Sequence, residues 1–360
     1  MGDGYKNHWK KIYRGCKARF CLGFVLAAYF TTIFGPHIPW SKTEESLFAV
    51  AESTNYACVM EISSRRILYA QNADIRLPMA STTKILTAAT VIDVCEDLSQ
   101  TVKIPAQAVG IEGSSVYLKE GEEYTVKDLL YGLMLRSGND AAVALALTVG
   151  KSQTRFCGMM NETAQKAGAL HSRFENPHGL PCENHYTTAT DLSLITCYAM
   201  QNETFCEIVS TKYYEPRHWQ NKNKLLTSYD GAIGVKTGYT KEAGRCLVSA
   251  AQRQGMRLVC TLLNYPDTYG LSEQLLDDAF ATYQYTKIIS VGDEFPIELD
   301  GKIIKARLKD DFYYPLSEGE QEHLSQEIVG YNRVKKDGSV GEITIRLAKR
   351  LIFSEKLYKL

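Results

Sequence analysis

The chain opens with an abrupt change of character. Six cations, Lys6, Lys10, Lys11, Arg14, Lys17 and Arg19, fall within the first 19 residues against one anion, Asp3, and the fifteen residues from Phe20 to Phe34 carry no charge. A basic head followed by an apolar run of this length is the pattern of a secretory signal, with the cations held inside and everything after Trp40 sent across the membrane. The bland reading, a buried core helix, leaves the basic flank and the terminal position unexplained. Ala49-Val50-Ala51 has the small-x-small form of a cleavage site but lies well beyond the apolar run, and the uncharged stretch continues through Gly35, Pro36 and Trp40. Cleavage and retention as an anchor in the cytoplasmic membrane both stay open.

After residue 51 the apolar spacing becomes that of a folded domain. Tyr56 to Ile62 and Ile67 to Ala70 are short apolar runs around Ser63-Ser64-Arg65-Arg66 and predict a β-hairpin. Helical spacing follows from about Ser81 to Val94, from Thr125 to Arg136 behind a Thr-x-x-Asp start, and over Ala141–Val149. Further helices are predicted at Phe156–Ala167, Asp191–Met200 and Ser272–Tyr285. Arg245–Ala251 and Arg257–Leu263, joined through Gln254-Gly255, predict a second hairpin. Strands at both ends with helices between them imply an α+β domain whose antiparallel sheet is built from the two hairpins. From about Val291, Asp300-Gly301 and Asp337-Gly338 punctuate strand-like runs such as Lys302–Leu308 and Gly341–Leu347, so a small all-β domain closes the chain. The expected organisation is an export segment at 1–51, a catalytic domain at 52–288 and a β-rich domain at 289–360. There is no internal repeat, nucleotide-binding glycine loop or second membrane segment.

Composition narrows the class. The chain has 360 residues, 45% of them hydrophobic and 23% charged, which excludes collagen-like and disordered chains. Its 41 Lys+Arg balance 41 Asp+Glu, which argues against a nucleic-acid partner. That balance is an average, since residues beyond 51 carry 34 cations against 38 anions. Ten cysteines are too few for a disulfide-stapled miniprotein, and the eight outside the export segment show no regular pairing pattern.

Three short motifs carry chemistry: Ser81-Thr82-Thr83-Lys84, Ser137-Gly138-Asn139 and Lys236-Thr237-Gly238. Each alone is weak, but in this order they fit the signature of the serine penicillin-binding proteins and class A β-lactamases. A serine hydroxyl needs an adjacent base to become a nucleophile, and residues three apart on a helix share a face, so Lys84 reaches Ser81. A serine at a helix N-terminus also sits where backbone N–H groups and the positive dipole end meet developing negative charge. For Lys84 to accept a proton near pH 7, its pKa must fall from about 10.4 to near neutrality, a difference of about 4 kcal/mol between protonation states. Burial and a second cation both push that way, and Lys236 is the candidate. Ser137 then serves as a hydroxyl relay to the leaving amine and Asn139 holds the substrate amide.

The runs ASTTKILTA, LLYGLMLRSGNDAA, NPHGLP, TATDLS and GVKTGYTKEAGRCLVSAA resemble the D-alanyl-D-alanine carboxypeptidases of the low-molecular-mass penicillin-binding proteins, and GEITI near the end is similar to their β-rich C-terminal domain. The resemblance implies the penicillin-binding protein fold and a Ser81 acyl-enzyme that releases terminal D-Ala from peptidoglycan stem peptides. It implies Lys84 as base and Ser137 as relay, with Lys236 and Thr237 of the third motif on the substrate carboxylate. It also implies an oxyanion hole from the backbone N–H groups of Ser81 and Tyr239, acylation by β-lactams, and no cofactor or metal. Some relatives carry an arginine near the start of the helix after the last strand to hold the terminal carboxylate. Here that stretch is Gly270-Leu271-Ser272, which leaves the second cation unassigned.

Two other functions compete. A class A β-lactamase needs a glutamate to activate the deacylating water and usually has Asp in the middle of the second motif, where this chain has Gly138; Glu175 lies in the region for such a glutamate. A non-catalytic drug- or wall-binding module has no use for an intact Ser81, Lys84 and Ser137. His171, His178 and His185 with Cys182 match no common zinc spacing, and His178 is expected to shape a turn beside the cleft. No Gly-x-Ser-x-Gly elbow supports a Ser-His-Asp triad.

Overall fold

The structure, a computed structural model, describes residues 55–360. The export signal and the 1–51 segment expected from the sequence lie outside the described residues. The first hairpin forms as the sequence implies: β1 (Tyr56–Glu61) and β2 (Ile67–Gln71) pair antiparallel, Cys58 opposite Ala70. A 3-10 turn at Ala80–Thr83 leads into α1 (Lys84–Val94), so the helix expected from Ser81 begins as a tighter turn.

The middle of the chain is helical. Two short strands, β3 (Thr101–Lys103) and β4 (Glu123–Thr125), pair ahead of α2 (Val126–Leu135). The Thr-x-x-Asp start is a capping box: Thr125 Oγ1 accepts from Asp128 N and the Asp128 carboxylate accepts from Thr125 N, which satisfies two amides that a helix start leaves orphaned. There follow α3 (Asn139–Gly150), α4 (Gln153–Ala167), α5 (Ala189–Ala199) and α6 (Glu203–Ser210). A small ribbon of β5 (Tyr213–Tyr214) and β6 (Trp219–Gln220) and the single turn α7 (Leu225–Ser228) complete this part. Among the described residues no helix is long and apolar enough to cross a membrane.

The central sheet has five antiparallel strands in the order β2-β1-β9-β8-β7, where β7 is Ala232–Thr240, β8 is Gly244–Arg253 and β9 is Met256–Leu263. The sheet is thus larger than the two hairpins expected from the sequence, because the third motif supplies an edge strand. Gly234 and Gly238 interrupt the β signal of β7, and its extended form is enforced by pairing with β8, Lys236 opposite Val248. Helices α5 and α6 pack on one face, and α8 (Thr268–Thr282) on the other. With both faces covered, β1 and β9 read as nearly continuous apolar runs.

The helix expected at Ser272–Tyr285 starts and stops earlier, and Gln284 begins a strand, β10 (Gln284–Ile289). It pairs with β13 (Phe312–Leu316) and stacks Tyr285 on Tyr313. A second five-stranded sheet, in the order β11-β12-β16-β15-β14, uses β11 (Phe295–Leu299), β12 (Lys302–Arg307), β14 (Leu324–Gly330), β15 (Ser339–Leu347) and β16 (Arg350–Lys359). Asp300 and Gly301 both take positive φ at the β11–β12 turn, the geometry that a two-residue hairpin demands. This sheet has its own core around Ile297, Ala306, Ile343 and Leu357. Arg66 joins the two parts: its guanidinium pairs with Glu320 at 2.6 Å, donates to Pro315 O at 2.6 Å, and lies over the rings of Tyr283 and Tyr314. All eight cysteines of the described residues are unpaired, five of them buried.

Candidate active site

Ser81 sits in the 3-10 turn between the sheet and α1, half-buried, with Thr82 Oγ1 closing the turn on Met79 O at 2.6 Å. One turn on, Lys84 is fully buried. Its Nζ lies 2.9 Å from Ser81 Oγ, 2.7 Å from Asn139 Oδ1 and 2.6 Å from His178 O. Asn139 Oδ1 and His178 O can only accept. As an ammonium Lys84 donates to all three oxygens; once neutral, its two N–H donors go to Asn139 Oδ1 and His178 O and its lone pair faces the Ser81 hydroxyl. Burial pushes the Lys84 pKa well below its ordinary value, helped by the charges of Lys236 and then Lys222, with Asp140 opposing.

The second motif turns the chain into α3. Ser137 takes positive φ, Asn139 N donates to Ser114 O at 2.7 Å, and Asp140 gathers the N–H groups of Val116 and Leu118 and the hydroxyl of Ser115 on its carboxylate. Asp140 therefore lashes the 112–118 loop to the start of α3. Ser137, 5% exposed, lines the same cleft as Ser81, and its Oγ makes no hydrogen bond among the described residues. Asn139 was expected at the substrate amide. Its Oδ1 accepts from Lys84, and one N–H of its Nδ2 donates to Glu112 O at 2.5 Å.

The third motif lies on β7. Lys236 is buried, its Nζ donates to Thr237 O at 2.9 Å, and burial followed by the charge of Lys222 brings its pKa to about 7. Gly238 passes directly over the turn that holds Ser81. A Cβ there would stand 3.1 Å from Ser81 N and 3.1 Å from Met79 O. The segment NPHGLP forms a braced turn in which the Asn176 amide bonds Gly179 N and Leu180 O, and it is this turn that presents His178 O to Lys84. Gly179 is needed there, since at φ +89 its Cβ would fall 1.9 Å from Ala80 O. Burial and then the Lys84 charge bring the His178 ring to about 3, so it stays neutral.

These elements enclose a cleft of about 380 Å³ lined by Ser81, Ser137, Thr237, Gly238 and Tyr239, and also by Ser114, Lys222, Lys224, Arg245 and Tyr269. The last five were not singled out in the sequence. Arg245 falls within the run GVKTGYTKEAGRCLVSAA, where the sequence marks it only as the start of a strand, whereas the other four lie outside the quoted runs, and the two lysines come from a loop that meets Tyr269 OH through Lys222 O and Lys224 N.

The family model for Peptidase_S11, described as D-alanyl-D-alanine carboxypeptidase, matches residues 42–267. The chain belongs to this family. The D-alanyl-D-alanine carboxypeptidase DacF of Bacillus subtilis is 32% identical over 249 residues, which are 65% of this chain and 64% of that protein. The chain thus spans just under two thirds of that relative's length. A D-alanyl-D-alanine carboxypeptidase of Streptomyces is 39% identical over 220 residues, 54% of this chain and 75% of its own. Among solved structures, penicillin binding protein 5 from Haemophilus influenzae superposes with a TM-score of 0.74 at 26% identity over 87% of this chain and 98% of its own. The Streptomyces K15 DD-transpeptidase does so with a TM-score of 0.58 at 36% identity over 63% and 97%.

Within this S11 chain, the residues behind the rival readings lie elsewhere. Glu175 pairs with Arg173 at 3.2 Å, accepts from Cys182 Sγ at 2.9 Å, and faces a separate cleft from Ser81. The His185 ring spans Thr83 Oγ1 and Glu175 N, and burial brings its pKa to about 4. His171 faces Asp191. Among the described residues no group of three or more His, Cys, Asp and Glu could hold a metal ion.

Proposed function

We propose that this S11 protein is an exported serine D-alanyl-D-alanine carboxypeptidase that removes the terminal D-alanine from peptidoglycan stem peptides and is acylated by β-lactams. The observation that carries the reading is the contact of Ser81 Oγ with a fully buried Lys84 whose pKa burial holds well below its ordinary value. Lys84 takes the Ser81 proton as Oγ attacks the carbonyl carbon of the penultimate D-Ala. The oxyanion is held by the N–H groups of Ser81 and Tyr239. The C–N bond breaks, Ser137 passes a proton to the leaving D-Ala amine, and water hydrolyses the resulting ester. Lys236 and Thr237 face the substrate carboxylate across Gly238. The same proposal assigns residues 1–51 to export or anchoring, 52–288 to catalysis and 289–360 to a β-rich domain. The basic head and apolar run at the N-terminus support an extracytoplasmic location, at the wall or the outer face of the membrane.

The test incubates full-length protein in mild detergent with a pentapeptide ending in D-Ala-D-Ala and, separately, with fluorescent penicillin. Release of D-Ala by wild type and loss of covalent labelling in Ser81→Ala are expected. A labelled Ser81→Ala would end the mechanism, and rapid penicillin turnover without peptide cleavage would establish a β-lactamase instead.

A further inference from the structure

Among the described residues, the cleft beside Ser81 is lined by three cations, Lys222, Lys224 and Arg245, and by no carboxylate. A site charged in one sense only is suited to an anion. The cations differ in how firmly they keep their charge. Lys236 is brought to about 7, and Lys222 is pushed down by burial and by Arg136. Their ammonium groups already donate to Thr237 O and Ser114 Oγ. A guanidinium stays protonated throughout the working range and presents a fork that matches both oxygens of a carboxylate. Among the described residues, Arg245 is the only arginine on the cleft wall.

Its placement is specific. Arg245 is exposed near the start of β8, directly opposite Tyr239 on β7, the residue whose N–H the mechanism puts in the oxyanion hole. Its charge acts on the phenol of Tyr269, the side chain that ties down the Lys222–Lys224 loop. Among the described residues its guanidinium makes no hydrogen bond or ion pair. Meanwhile α8, from Thr268 to Thr282, contains no Lys or Arg at all, so no cation from that helix competes for the role.

We propose that Arg245 binds the free C-terminal carboxylate of the substrate through a bidentate ion pair and thereby confines this enzyme to cleavage at peptide C-termini. The inference rests on the carboxypeptidase reading and adds to it the residue that reads the chain end. The arginine expected on α8 is replaced by one on the neighbouring strand, reaching the same cleft from another wall.

The experiment compares the full-length enzyme with Arg245→Ala, Arg245→Lys, Lys222→Ala and Lys224→Ala. Each is assayed on an acyl-tripeptide ending in D-Ala-D-Ala and on its C-terminal carboxamide, with melting temperature as the folding control. A charge-assisted hydrogen bond corresponds to roughly ten- to hundredfold. Arg245→Ala is therefore expected to lower the acid-to-amide preference in kcat/KM by that factor, chiefly through KM, with partial recovery in Arg245→Lys. An undiminished preference in a folded Arg245→Ala overturns the inference, as does loss of the preference in Lys222→Ala or Lys224→Ala instead. Wild type that releases no D-Ala from the acid removes the carboxypeptidase reading and this inference with it.

Discussion

Asn139 Oδ1 accepts from Lys84 Nζ at 2.7 Å while Nδ2 of the same amide donates to Glu112 O, so the orientation of the amide is dictated by its two neighbours. A carbonyl oxygen facing a buried amine stabilises the amine without adding charge. Replacing Asn139 by Asp puts a carboxylate in that place, which favours the ammonium form and raises the Lys84 pKa. Asn139→Asp is expected to slow acylation by fluorescent penicillin at least about tenfold at pH 7 and to move the acid limb of its pH profile upward. An unmoved limb would show that this amide does not govern Lys84.

The two buried lysines demand opposite charge states. On the proposed mechanism Lys84 works neutral, so kcat/KM is expected to rise as pH climbs through its titration. Lys236, brought to about 7 by burial and then the charge of Lys222, would in the same mechanism serve a carboxylate only while charged. Activity on a D-Ala-D-Ala peptide therefore falls as pH rises past about 7, when Lys236 gives up its proton. The charge of Lys222 helps push Lys236 down. Lys222→Ala is accordingly expected to shift the alkaline limb of kcat/KM upward, and a limb that stays in place contradicts the assignment.

Two glycines separate stability from catalysis. Gly179→Ala forces a Cβ to 1.9 Å from Ala80 O at a positive φ, and should destabilise the fold by at least about 2 kcal/mol. Gly238→Ala meets Ser81 N at 3.1 Å. It should fold, yet acylate penicillin about tenfold or more slowly because the turn that aims Ser81 must move. Equal melting temperatures for the two variants would refute this division.

The Arg66–Glu320 pair, with side chains 10% and 25% exposed, joins the central sheet to the segment before β14. Removing one partner of a buried pair costs about 3–5 kcal/mol, and partial exposure reduces that here to about 2–3 kcal/mol. Arg66→Ala is expected to lower the urea midpoint by a corresponding amount. Arg66→Met combined with Glu320→Gln should recover most of it, and no change in the single variant would mean that the pair holds nothing together.

The three motifs were legible because each packs its chemistry into three or four contiguous residues, and α1 to α5 and α8 were legible from their apolar spacing, whereas the short helices α6 and α7 were not. Strand β7 was not, since Gly234 and Gly238 hide its extended form until β8 is beside it. The edge position of Lys236 and the approach of Gly238 to Ser81 depend on that strand. Lys222, Lys224 and Arg245 were equally hidden, because an isolated cation looks like solvated surface until folding places it on the wall of a cleft. The engagement of Asn139 with Lys84 depends on which way an amide is turned, which no spacing encodes.

The unpaired cysteines bear on how this protein meets its surroundings. Burial pushes the thiols of Cys58, Cys157 and Cys246 to about 11 and that of Cys260 to about 12, with Cys197 higher still. None of them is a thiolate at physiological pH, so exchange and oxidation have no nucleophile to recruit from the interior. Sulfur in this core fills volume as a small hydrophobe does. A copy of the folded domain made in a reducing cytosol and one made on the oxidising side of a membrane therefore share the same covalent bonds at these five positions, and the native state keeps no record of the redox potential in which it formed.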